Sequence, residues 1–342
     1  MDPVGANEIV AAHVARLGLE PRHEFWRLRP LDGGAFGLET TSAGLAAAAV
    51  AELEQVGVRV SAALLPSAAP AAGIAWVAAS VAEVRREPRH AAEQITQALQ
   101  GEIVIPLLHE DGWLLGRLPD GYVGWIRDWH VVFTAPDAAA AYQQRTNARV
   151  AGACLLVRAA PRRDADAVTD TILGTTVCVH QTSRGWADIE LPAGRRGWVP
   201  EAALRAGTAP WPLTLDSLFT MVRGFLGVPY LWGGRSPKGF DCSGLVQFVY
   251  GLHGVALPRD SDEQARAGAA ADLPEPGDLV FFGRDRVTHV GIAIEDQAFL
   301  HARGHVRCNS LVEGTALHDA ELRALWCGTR RVLPPAIQYI RG

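Results

Sequence analysis

The chain lacks the features that would assign it to several large classes of protein. No run of 18 apolar residues occurs among its 342 residues, so no membrane-spanning helix is predicted. Its 32 Lys and Arg residues are interspersed with 37 Asp and Glu residues, and a net charge of -5 without a basic face argues against nucleic-acid binding. Residues 1–8 lack the basic, apolar and small-residue pattern of a secretory signal. We therefore expect neither a membrane nor a nucleic acid as partner.

Cysteine is also scarce, and its spacing shows no disulfide framework. The five cysteines are Cys154, Cys178, Cys242, Cys308 and Cys327. All except Cys242 lie mostly in apolar β-like segments and are interpreted as buried thiols. An odd number of cysteines, together with the absent secretory pattern, predicts a reducing compartment, which is the cytoplasm.

The most informative segment surrounds Cys242. A loop rich in Gly and Pro precedes Asp241-Cys242-Ser243-Gly244, and an apolar-periodic run follows it. This pattern predicts a buried helix with Cys242 in its first turn. The free N–H groups and the positive end of the helix dipole would favour a thiolate there, so we expect a nucleophile with a depressed pKa. On local context alone, the alternative is a small core cysteine.

Two histidines lie in β-like runs further along the chain. His289 and His301 are each six positions from Glu295, which begins a polar turn. A tight antiparallel hairpin centred on Glu295 would place the two side chains directly opposite, with Cβ atoms roughly 5 Å apart. In a cysteine hydrolase one imidazole takes the thiol proton and a second polar group fixes its tautomer. We predict these roles for His289 and His301 respectively; the alternative is two unrelated histidines among the 11 present.

These residues belong to a larger set of motifs. The motifs are Pro229-Tyr230-Leu231-Trp232-Gly233-Gly234, Asp241-Cys242-Ser243-Gly244-Leu245-Val246-Gln247, Pro258-Arg259-Asp260-Ser261, Pro276-Gly277-Asp278-Leu279 and Thr288-His289-Val290-Gly291. Their order resembles that of the NlpC/P60 cysteine peptidases. The resemblance implies a papain-like α+β core in which a helix with the nucleophile packs on a sheet with both histidines. It also implies hydrolysis of γ-D-glutamyl–diamino acid bonds in peptidoglycan stem peptides, with no cofactor.

The resemblance implies substrate-binding groups as well. Asp241, Ser243 and Ser261 are expected at the subsite for γ-D-Glu, and the Tyr230 hydroxyl is expected to bind the oxyanion. The backbone N–H of Cys242 is a natural second donor to the oxyanion. Asp241 is equally suited to be the helix N-cap, and the two roles are compatible. Ser261 is likewise suited to be an N-cap, with Gln264 completing a capping box.

Upstream of these motifs the chain repeats itself. A shift of 73 residues aligns, without a gap, Val84 with Val157, Arg85 with Arg158, Pro88 with Pro161, Gly101 with Gly174, Gly112 with Gly185, Trp113 with Trp186, Gly124 with Gly197 and Trp125 with Trp198. Short β-branched runs, glycine turns and Gly-Trp pairs predict two small all-β barrels in tandem. The pattern resembles the bacterial SH3 fold over residues 76–135 and 148–207.

The remaining segments complete a multidomain fold class, in which two SH3-like barrels precede an α+β papain-like domain over residues 213–335. Residues 1–75 are expected to form an α+β leader packed on the first barrel. This leader would contain strands near 25–28 and 36–39, a helix over 43–55 and a strand over 58–64. Residues 65–73 and 208–212 are the predicted linkers.

Two SH3 repeats before the peptidase have a further implication. NlpC/P60 enzymes of this organisation, which the chain resembles, cut free murein peptides after L-Ala-γ-D-Glu. They recognise the free amine of L-Ala through an acid and a tyrosine of the first SH3 domain. The second repeat has Arg195 at the position of Tyr122, and Asp166 at that of Glu93. Because Arg195 is cationic and has no acceptor for an ammonium, we expect amine recognition in the first repeat. The resemblance implies Tyr122 as the tyrosine and Glu93 as the acid, since Glu93 precedes a Thr-Gln-Ala-Leu strand as the family's acid does.

The assignment leaves alternatives open. The spacing around Glu93 differs from that of the family by one or two positions, and Glu87 or Gln94 complicates the alignment. The ordinary interpretation of Glu93 is a solvated barrel carboxylate, and that of Tyr122 is an amphipathic barrel residue. The expected function is recycling of small murein peptides, without an obligate protein partner. The alternatives are a wall-remodelling hydrolase anchored by its SH3 repeats, a zinc hydrolase using Cys242, His289 and His301, and a non-catalytic muropeptide-binding protein.

Overall fold

A computed structural model describes residues 2–66 and 73–334, and the chain divides into two compact units. The first comprises Met1–Val77, Arg85–Glu93 and Glu102–Ala140, and the second comprises Ala78–Val84, Gln94–Gly101 and Ala141–Gly342. Most of the predicted linker 65–73 lies outside the described residues. Within the described ranges, every helix is too short or too polar to cross a membrane.

The amino-terminal segment contains two helices and a three-stranded sheet. Its elements are α1 (Pro3–Leu17), β1 (Trp26–Pro30), β2 (Phe36–Thr40), α2 (Ala43–Gln55) and β3 (Val60–Leu64). The central strand β2 pairs antiparallel with β1 and parallel with β3. Helix α2 begins at the Ser42 N-cap and buries Leu45, Ala49 and Leu53, which lie on one face at a spacing of four residues. The sequence predicted α2 and all three strands but missed α1.

Each repeat contributes seven β-strands. Those of the first are β4 (Ile74–Val77), β5 (Val81–Arg85), β6 (Gln94–Leu99), β7 (Ile103–Glu110), β8 (Trp113–Arg117), β9 (Val123–Arg127) and β10 (Val131–Thr134). After α3 (Pro136–Arg145), the second repeat supplies β11 (Ala148–Val150), β12 (Cys154–Arg158), β13 (Ala167–Ile172), β14 (Thr176–Ser183), β15 (Trp186–Glu190), β16 (Arg196–Pro200) and β17 (Leu204–Ala206). Strand β6 and all but the last residue of β5 belong to the second unit.

The strands follow the 73-residue period of the sequence. Strands β5 to β9 begin at residues 81, 94, 103, 113 and 123, and β12 to β16 begin 73 residues later in each case. The β7–β8 hairpin turns through Asp111-Gly112 and the β14–β15 hairpin through Arg184-Gly185, and all four residues have positive φ. Such turns match the twist of the paired strands, and glycine adopts them without strain. The predicted duplication and the all-β character of the repeats are therefore confirmed.

The leader packs on the first-unit strands of the first repeat. Arg27 pairs with Glu110 of β7 at 2.6 Å between Nη1 and Oε1, and Arg29 pairs with the same carboxylate. The Phe25 ring meets Trp125 of β9 edge-on, with 6.1 Å between ring centroids. The leader and these strands consequently share a buried apolar cluster around Trp125.

The rest of the second unit contains a domain of helices and one main sheet. Its elements are α4 (Leu215–Arg223), β18 (Arg235–Ser236), β19 (Gly239–Phe240), α5 (Cys242–Leu252), α6 (Ser261–Gln264), β20 (Ala269–Ala271), β21 (Leu279–Gly283), β22 (Val287–Ala293), β23 (Ala298–Arg303), β24 (His305–Ser310), α7 (Ala320–Leu325) and β25 (Trp326–Arg331). The antiparallel sheet has the strand order β20-β25-β21-β22-β23-β24. Helix α5 is buried along nearly its whole length and packs on β22 and β23. The predicted fold class is therefore confirmed.

Equivalent strands of the two repeats contact the same short hairpin, β18–β19. Within the second unit, the Gln97 side chain of β6 accepts a hydrogen bond from the backbone N–H of Arg235 at 2.9 Å. Asp170 of β13, which is 73 residues further on, pairs with the ammonium of Lys238 at 2.5 Å. The hairpin that leads into α5 is thus held by both repeats.

The prediction of buried thiols was wrong for two cysteines. Cys178 is buried and Cys308 half-buried, but Cys154 and Cys327 are exposed. All four lie in strands, where alternate side chains point to opposite faces. An apolar neighbourhood in sequence therefore predicted the strands correctly without predicting the face on which each cysteine lies. All five cysteines are free thiols.

We expect Asp278→Ala to lower the free energy of unfolding of the second unit by about 2–3 kcal/mol. The buried carboxylate accepts hydrogen bonds from Arg331 at 2.9 Å and from the Glu275 N–H at 2.9 Å, and hydrogen bonds to charged groups contribute about 1.5–3 kcal/mol. Urea unfolding followed by tryptophan fluorescence measures the change. The control Asp262→Ala breaks a more exposed ion pair with Arg266 at 3.5 Å, and it should change the free energy of unfolding little. Equal losses in the two variants would contradict the prediction.

Candidate active site

Cys242 is the first residue of α5, as the sequence predicts. Asp241 is the N-cap of this helix, and its Oδ1 accepts the N–H of Gly244 at 2.7 Å. A Cβ atom on Gly244 would lie 2.1 Å from the carbonyl oxygen of Gly234, so the loop and the first turn pack backbone against backbone. This packing fixes the start of α5 and leaves Cys242 only 8% exposed.

The environment of Cys242 disfavours the thiolate in the free protein. Burial, followed by the negative charge of Asp241, raises the pKa of the thiol to about 12. Backbone hydrogen bonds from Val290 and Ser243, and the positive charge of Arg259, act in the opposite direction. The predicted depressed pKa was wrong because these contributions at the helix start are smaller than the cost of desolvating a buried anion. A base must therefore remove the proton when the thiol reacts.

His289 on β22 and His301 on β23 form a hydrogen-bonded pair. Nε2 of His289 lies 2.7 Å from Nδ1 of His301, and the two rings meet at an interplanar angle of 77°. Because Nε2 of His289 is engaged with His301, Nδ1 is the ring nitrogen that remains for another partner. The two predicted histidines are thus brought together with direct contact between their rings.

The register of the hairpin differs from the predicted one. Ile292 pairs with Leu300, and continuing this register places Gly291, not His289, opposite His301. The prediction of directly opposite histidines was wrong because a 3-10 turn over Glu295–Gln297 connects the strands. A Cβ atom at Gly291 would lie 3.2 Å from Cβ of His301, so a glycine here makes room for the diagonal contact of the histidines.

The sequence analysis missed Asn309 of β24, which lies next to His301. Oδ1 of Asn309 is 2.9 Å from Nε2 of His301, and Nδ2 of Asn309 donates to the Leu317 carbonyl at 3.2 Å. His301 pairs across the β23–β24 hairpin with Arg307, so Asn309 is its diagonal neighbour on the same face. The signal in the sequence is this spacing of eight residues around the turn at Gly304.

Both histidines are neutral at physiological pH. Burial, followed by the charges of His301 and Arg303, lowers the pKa of His289 to about 3. Burial also lowers the pKa of His301 to about 4, although the hydrogen bond with Asn309 acts in the opposite direction. A neutral imidazole offers one nitrogen lone pair as a base. The candidate site therefore combines a neutral thiol with a neutral imidazole pair.

Arg259, to which the sequence analysis gave no role, organises the polar groups at the start of α5. Its side chain is 1% exposed, and Nη2 lies 2.5 Å from Oδ2 of Asp241. Nη1 donates to Oγ of Ser243 at 3.0 Å, and Nε donates to Oγ1 of Thr96 in β6 at 2.8 Å. Asp241 and Ser243 therefore have partners within the protein. The N-cap role of Asp241 is confirmed, and the substrate-binding roles of both residues stay predictions.

Tyr230 and His289 line the same cavity, which has a volume of ≈ 340 Å³. Tyr230, Thr288, His289, Arg303 and Leu325 are among the residues that line this cavity. Burial, with added effects from Cys242 and Asp241, raises the pKa of the Tyr230 phenol. The hydroxyl consequently keeps its proton and is able to donate a hydrogen bond, as the predicted oxyanion role requires.

Ser261 is the first residue of α6, and Asp260 occupies the N-cap position. The N-cap alternative for Ser261 was therefore wrong by one residue. Gln264 completes no capping box; its side chain donates to the carbonyl of Ser243 at 3.1 Å and to that of Pro258 at 2.8 Å. Gln264 thereby ties α6 to the first turn of α5, and a role of Ser261 in substrate binding stays a prediction.

Glu93 and Tyr122 lie in the first unit. Glu93 pairs with Arg86 at 2.8 Å, and its side chain is 40% exposed. Tyr122 is buried, and its ring meets His23 edge-on with 5.9 Å between ring centroids. Both residues thus have partners within the first unit, and their role in amine recognition stays a prediction.

The site geometry argues against the zinc alternative. Across residues 2–66 and 73–334, no three His, Cys, Asp or Glu side chains are grouped so that they would hold a metal ion. Nε2 of His289 and Nδ1 of His301 face each other as hydrogen-bond partners, so these two nitrogens do not converge on a common metal position.

Sequence comparison places known domains on this architecture. The sequence model of the NlpC/P60 family matches residues 227–320, and that of the bacterial dipeptidyl-peptidase SH3 domain matches residues 84–130 and 157–204. A gamma-D-glutamyl-L-lysine dipeptidyl-peptidase of Bacillus cereus is 36% identical over 157 residues, which cover 42% of this chain and 45% of that protein. The protein of the same name from Bacillus subtilis is 28% identical over 221 residues, which cover 60% of this chain and 71% of that protein. The chain thus spans less than half of the first relative and about seven-tenths of the second.

Structural comparison agrees with the sequence matches. The crystal structure of an NlpC/P60 family protein from Bacillus cereus covers 76% of this chain and 100% of its own chain, with a TM-score of 0.65. The sequence identity in this comparison is 24%, so the likeness shows a shared fold.

We expect acid to destabilise the protein partly through His301. Its pKa is about 4 in the folded protein and near 6.5 in an unfolded chain, so the folded state binds fewer protons between these values. The free energy of unfolding should therefore fall as pH drops from about 6.5 towards 4, by up to about 1.4 kcal/mol per pH unit from this residue. Above pH 6.5 the residue contributes no pH dependence, because both states are neutral.

Urea unfolding at several pH values checks the prediction. His301→Gln should show a shallower dependence on pH than the wild type, whereas His305→Gln, at an exposed position of the same hairpin, should show the wild-type dependence. An unchanged slope in His301→Gln would contradict a neutral, buried His301.

Proposed function

Because this chain carries an NlpC/P60 cysteine-peptidase domain preceded by two bacterial dipeptidyl-peptidase SH3 domains, we propose that it hydrolyses the γ-D-Glu–diamino acid bond of free murein peptides. The products are L-Ala-D-Glu and a peptide that begins with the diamino acid. The observation that supports this best is the location of Cys242 at the start of α5, which packs on β22, the strand that carries His289. Hydrolysis of peptides with a free L-Ala amine, in the cytoplasm, corresponds to recycling of wall fragments.

The proposed reaction is acyl transfer through a thioester. Nδ1 of His289 takes the proton of the Cys242 thiol as the sulfur attacks the γ-carbonyl carbon of D-Glu. The Tyr230 hydroxyl and the backbone N–H of Cys242 are the proposed donors to the oxyanion that forms. The imidazolium of His289 then gives its proton to the leaving amine of the diamino acid. His289 finally takes a proton from water, which attacks the thioester and releases L-Ala-D-Glu together with the thiol.

The neutral resting state of the thiol and the imidazole suits this order of steps. A proton moves only when the sulfur attacks, so the buried site does not hold a separated pair of charges before substrate arrives. His301 keeps Nε2 of His289 engaged at 2.7 Å and stabilises the imidazolium that forms during the reaction.

Recognition of the free amine is proposed for Glu93 and Tyr122. The carboxylate of Glu93 offers an acceptor for an ammonium, and the phenol of Tyr122 offers a second one. Glu93 already pairs with the Arg86 guanidinium, so an ammonium would share this carboxylate. The name of the two Bacillus relatives, which specifies L-lysine, makes that residue one candidate for the diamino acid, beside diaminopimelate.

We expect Cys242→Ala to abolish turnover and leave the fold intact, because the substitution removes the nucleophile and only a small volume from the core. Mass spectrometry of peptide products measures turnover, and circular dichroism checks the fold. The control Cys308→Ala removes a half-buried thiol from β24 and should keep near-normal activity. Retention of more than about a thousandth of the wild-type rate in Cys242→Ala would rule out the thioester mechanism.

We expect N-acetylation of the substrate to slow cleavage at least tens of times. An ammonium bound to Glu93 and Tyr122 makes charge-assisted contacts worth roughly 1.5–3 kcal/mol, and acetylation removes the charge and adds bulk. Free and acetylated L-Ala-γ-D-Glu-diaminopimelate are compared by product mass spectrometry. Glu93→Gln should raise KM for the free peptide and narrow the difference in cleavage rate between the free and the acetylated peptide.

Asp166→Asn, at the equivalent position of the second repeat, is the matched control and should preserve the preference for the free amine. Similar rates on both peptides, or release of material from intact sacculi, would instead identify a wall-remodelling hydrolase whose SH3 repeats serve as anchors.

A further inference from the structure

The hydrogen-bond chain that begins at His289 continues through His301 and ends at Asn309. Asn309 is 5% exposed and His301 is fully buried, so little water is available to replace either partner. The amide orientation of Asn309 follows from its second contact. The Leu317 carbonyl can only accept, so the NH2 group faces Leu317 at 3.2 Å and the amide oxygen faces His301 at 2.9 Å.

This orientation determines where the protons of the two histidines lie. An amide oxygen only accepts, so Nε2 of His301 must carry a proton and donate it. A neutral imidazole has one N–H group, and Nδ1 of His301 is therefore an acceptor. Nε2 of His289, 2.7 Å away, must then donate to it. The Nδ1 lone pair of His289 is consequently left free of a proton.

The other proton arrangement is disfavoured inside the protein. A proton on Nδ1 of His301 would leave the Nε2 lone pair facing the amide oxygen at 2.9 Å, with two acceptors in contact. Burial of both side chains makes such an unsatisfied contact costly. Asn309 thus selects one tautomer of His301, and His301 in turn selects one tautomer of His289.

We propose that Asn309 is a positioning residue that holds Nδ1 of His289 unprotonated through His301, and so keeps His289 ready to act as a base. Asn309 reaches the reaction only through the two histidines. The consequence for turnover rests on the proposed peptidase function. The tautomer itself is a property of the free protein and is measurable without a substrate.

The first experiment is 15N NMR of the full chain labelled on histidine, with His301→Gln and His289→Gln for assignment. The wild type should show His301 and His289 protonated at Nε2. Asn309→Ala should give His301 a mixture of tautomers. Asn309→Asp should retain the wild-type tautomer, because a carboxylate still accepts from Nε2 of His301. Asn147→Ala removes an asparagine with two hydrogen bonds in the second repeat and serves as control.

The aspartate variant also separates positioning from a structural role. A carboxylate does not donate to the Leu317 carbonyl, so Asn309→Asp loses that contact and keeps the contact with His301. If Asn309 acts only by anchoring the segment at Leu317, Asn309→Asp and Asn309→Ala should be equally impaired, which would overturn the proposal. A wild-type His301 protonated at Nδ1, or tautomers that are unchanged in Asn309→Ala, would overturn it as well.

Kinetics on the free murein tripeptide supply the second readout. Asn309→Ala should lower kcat about threefold to tenfold with little change in KM, as expected for loss of one neutral hydrogen bond. Asn309→Asp should recover most of kcat. A change in KM alone would contradict a positioning role. Failure of the proposed function is distinct: the wild type would then leave the tripeptide uncleaved, or Cys242→Ala would retain turnover, while the tautomers of the wild type still follow the prediction.

Discussion

The buried ion pair between Arg259 and Asp241 is the interaction on which the arrangement of the site depends. Asp241 caps the helix that begins at Cys242, so its carboxylate must lie close to the thiol. An unpaired carboxylate at that position would be costly to bury and would raise the thiol pKa further. Arg259 neutralises it at 2.5 Å and bonds to Ser243 with the same guanidinium. One buried side chain thus makes the helix cap and the proposed nucleophile compatible.

A neutral thiol beside neutral imidazoles has a consequence for the chemistry of the resting protein. Thiolates, not thiols, react readily with oxidants and electrophiles. Burial raises the pKa of Cys242, and the exposed Cys154 and Cys327 also have raised pKa values because they are partly desolvated. The proposed nucleophile is therefore protected until a substrate carbonyl and the base act together. In the mechanism proposed above, reactivity depends on the geometry of His289, His301 and Asn309 more than on a standing negative charge.

Much of the fold could be predicted from the sequence because its signals are local or periodic. The 73-residue repeat, the apolar face of α2 and the Asp241 cap each depend on spacing along the chain. Helix α1 was missed because its apolar pattern is weak: only Ala6, Val10 and His13 are buried. The register between His289 and His301 was missed because a 3-10 turn joins the two strands and shifts every cross-strand pair of the hairpin. The hydrophobic pattern of the sequence does not specify the geometry of such a turn.

The residues of the site that sequence reasoning missed share one property. Arg259, Asn309 and Thr96 act through contacts between segments that are far apart in sequence or that depend on hairpin register. Arg259 lies within the Pro258-Arg259-Asp260-Ser261 motif, but its partner in β6, Thr96, is 163 positions away in the sequence. The pKa of Cys242 was mispredicted for a related reason. The start of the helix, and with it the positive end of the helix dipole, is predictable from the sequence. The extent to which Cys242 is buried depends on how the core folds.

The contacts of β6 and β13 with the β18–β19 hairpin bear on whether the peptidase is an independent module. Thr96 and Gln97 supply acceptors for Nε of Arg259 and for the backbone of Arg235, and Asp170 neutralises Lys238. Excising residues 213–334 as a separate fragment would remove all three partners at once. The duplicated repeats are in this respect part of the scaffold that stabilises the start of α5. Joining this peptidase domain to other accessory domains would therefore require new partners for these groups.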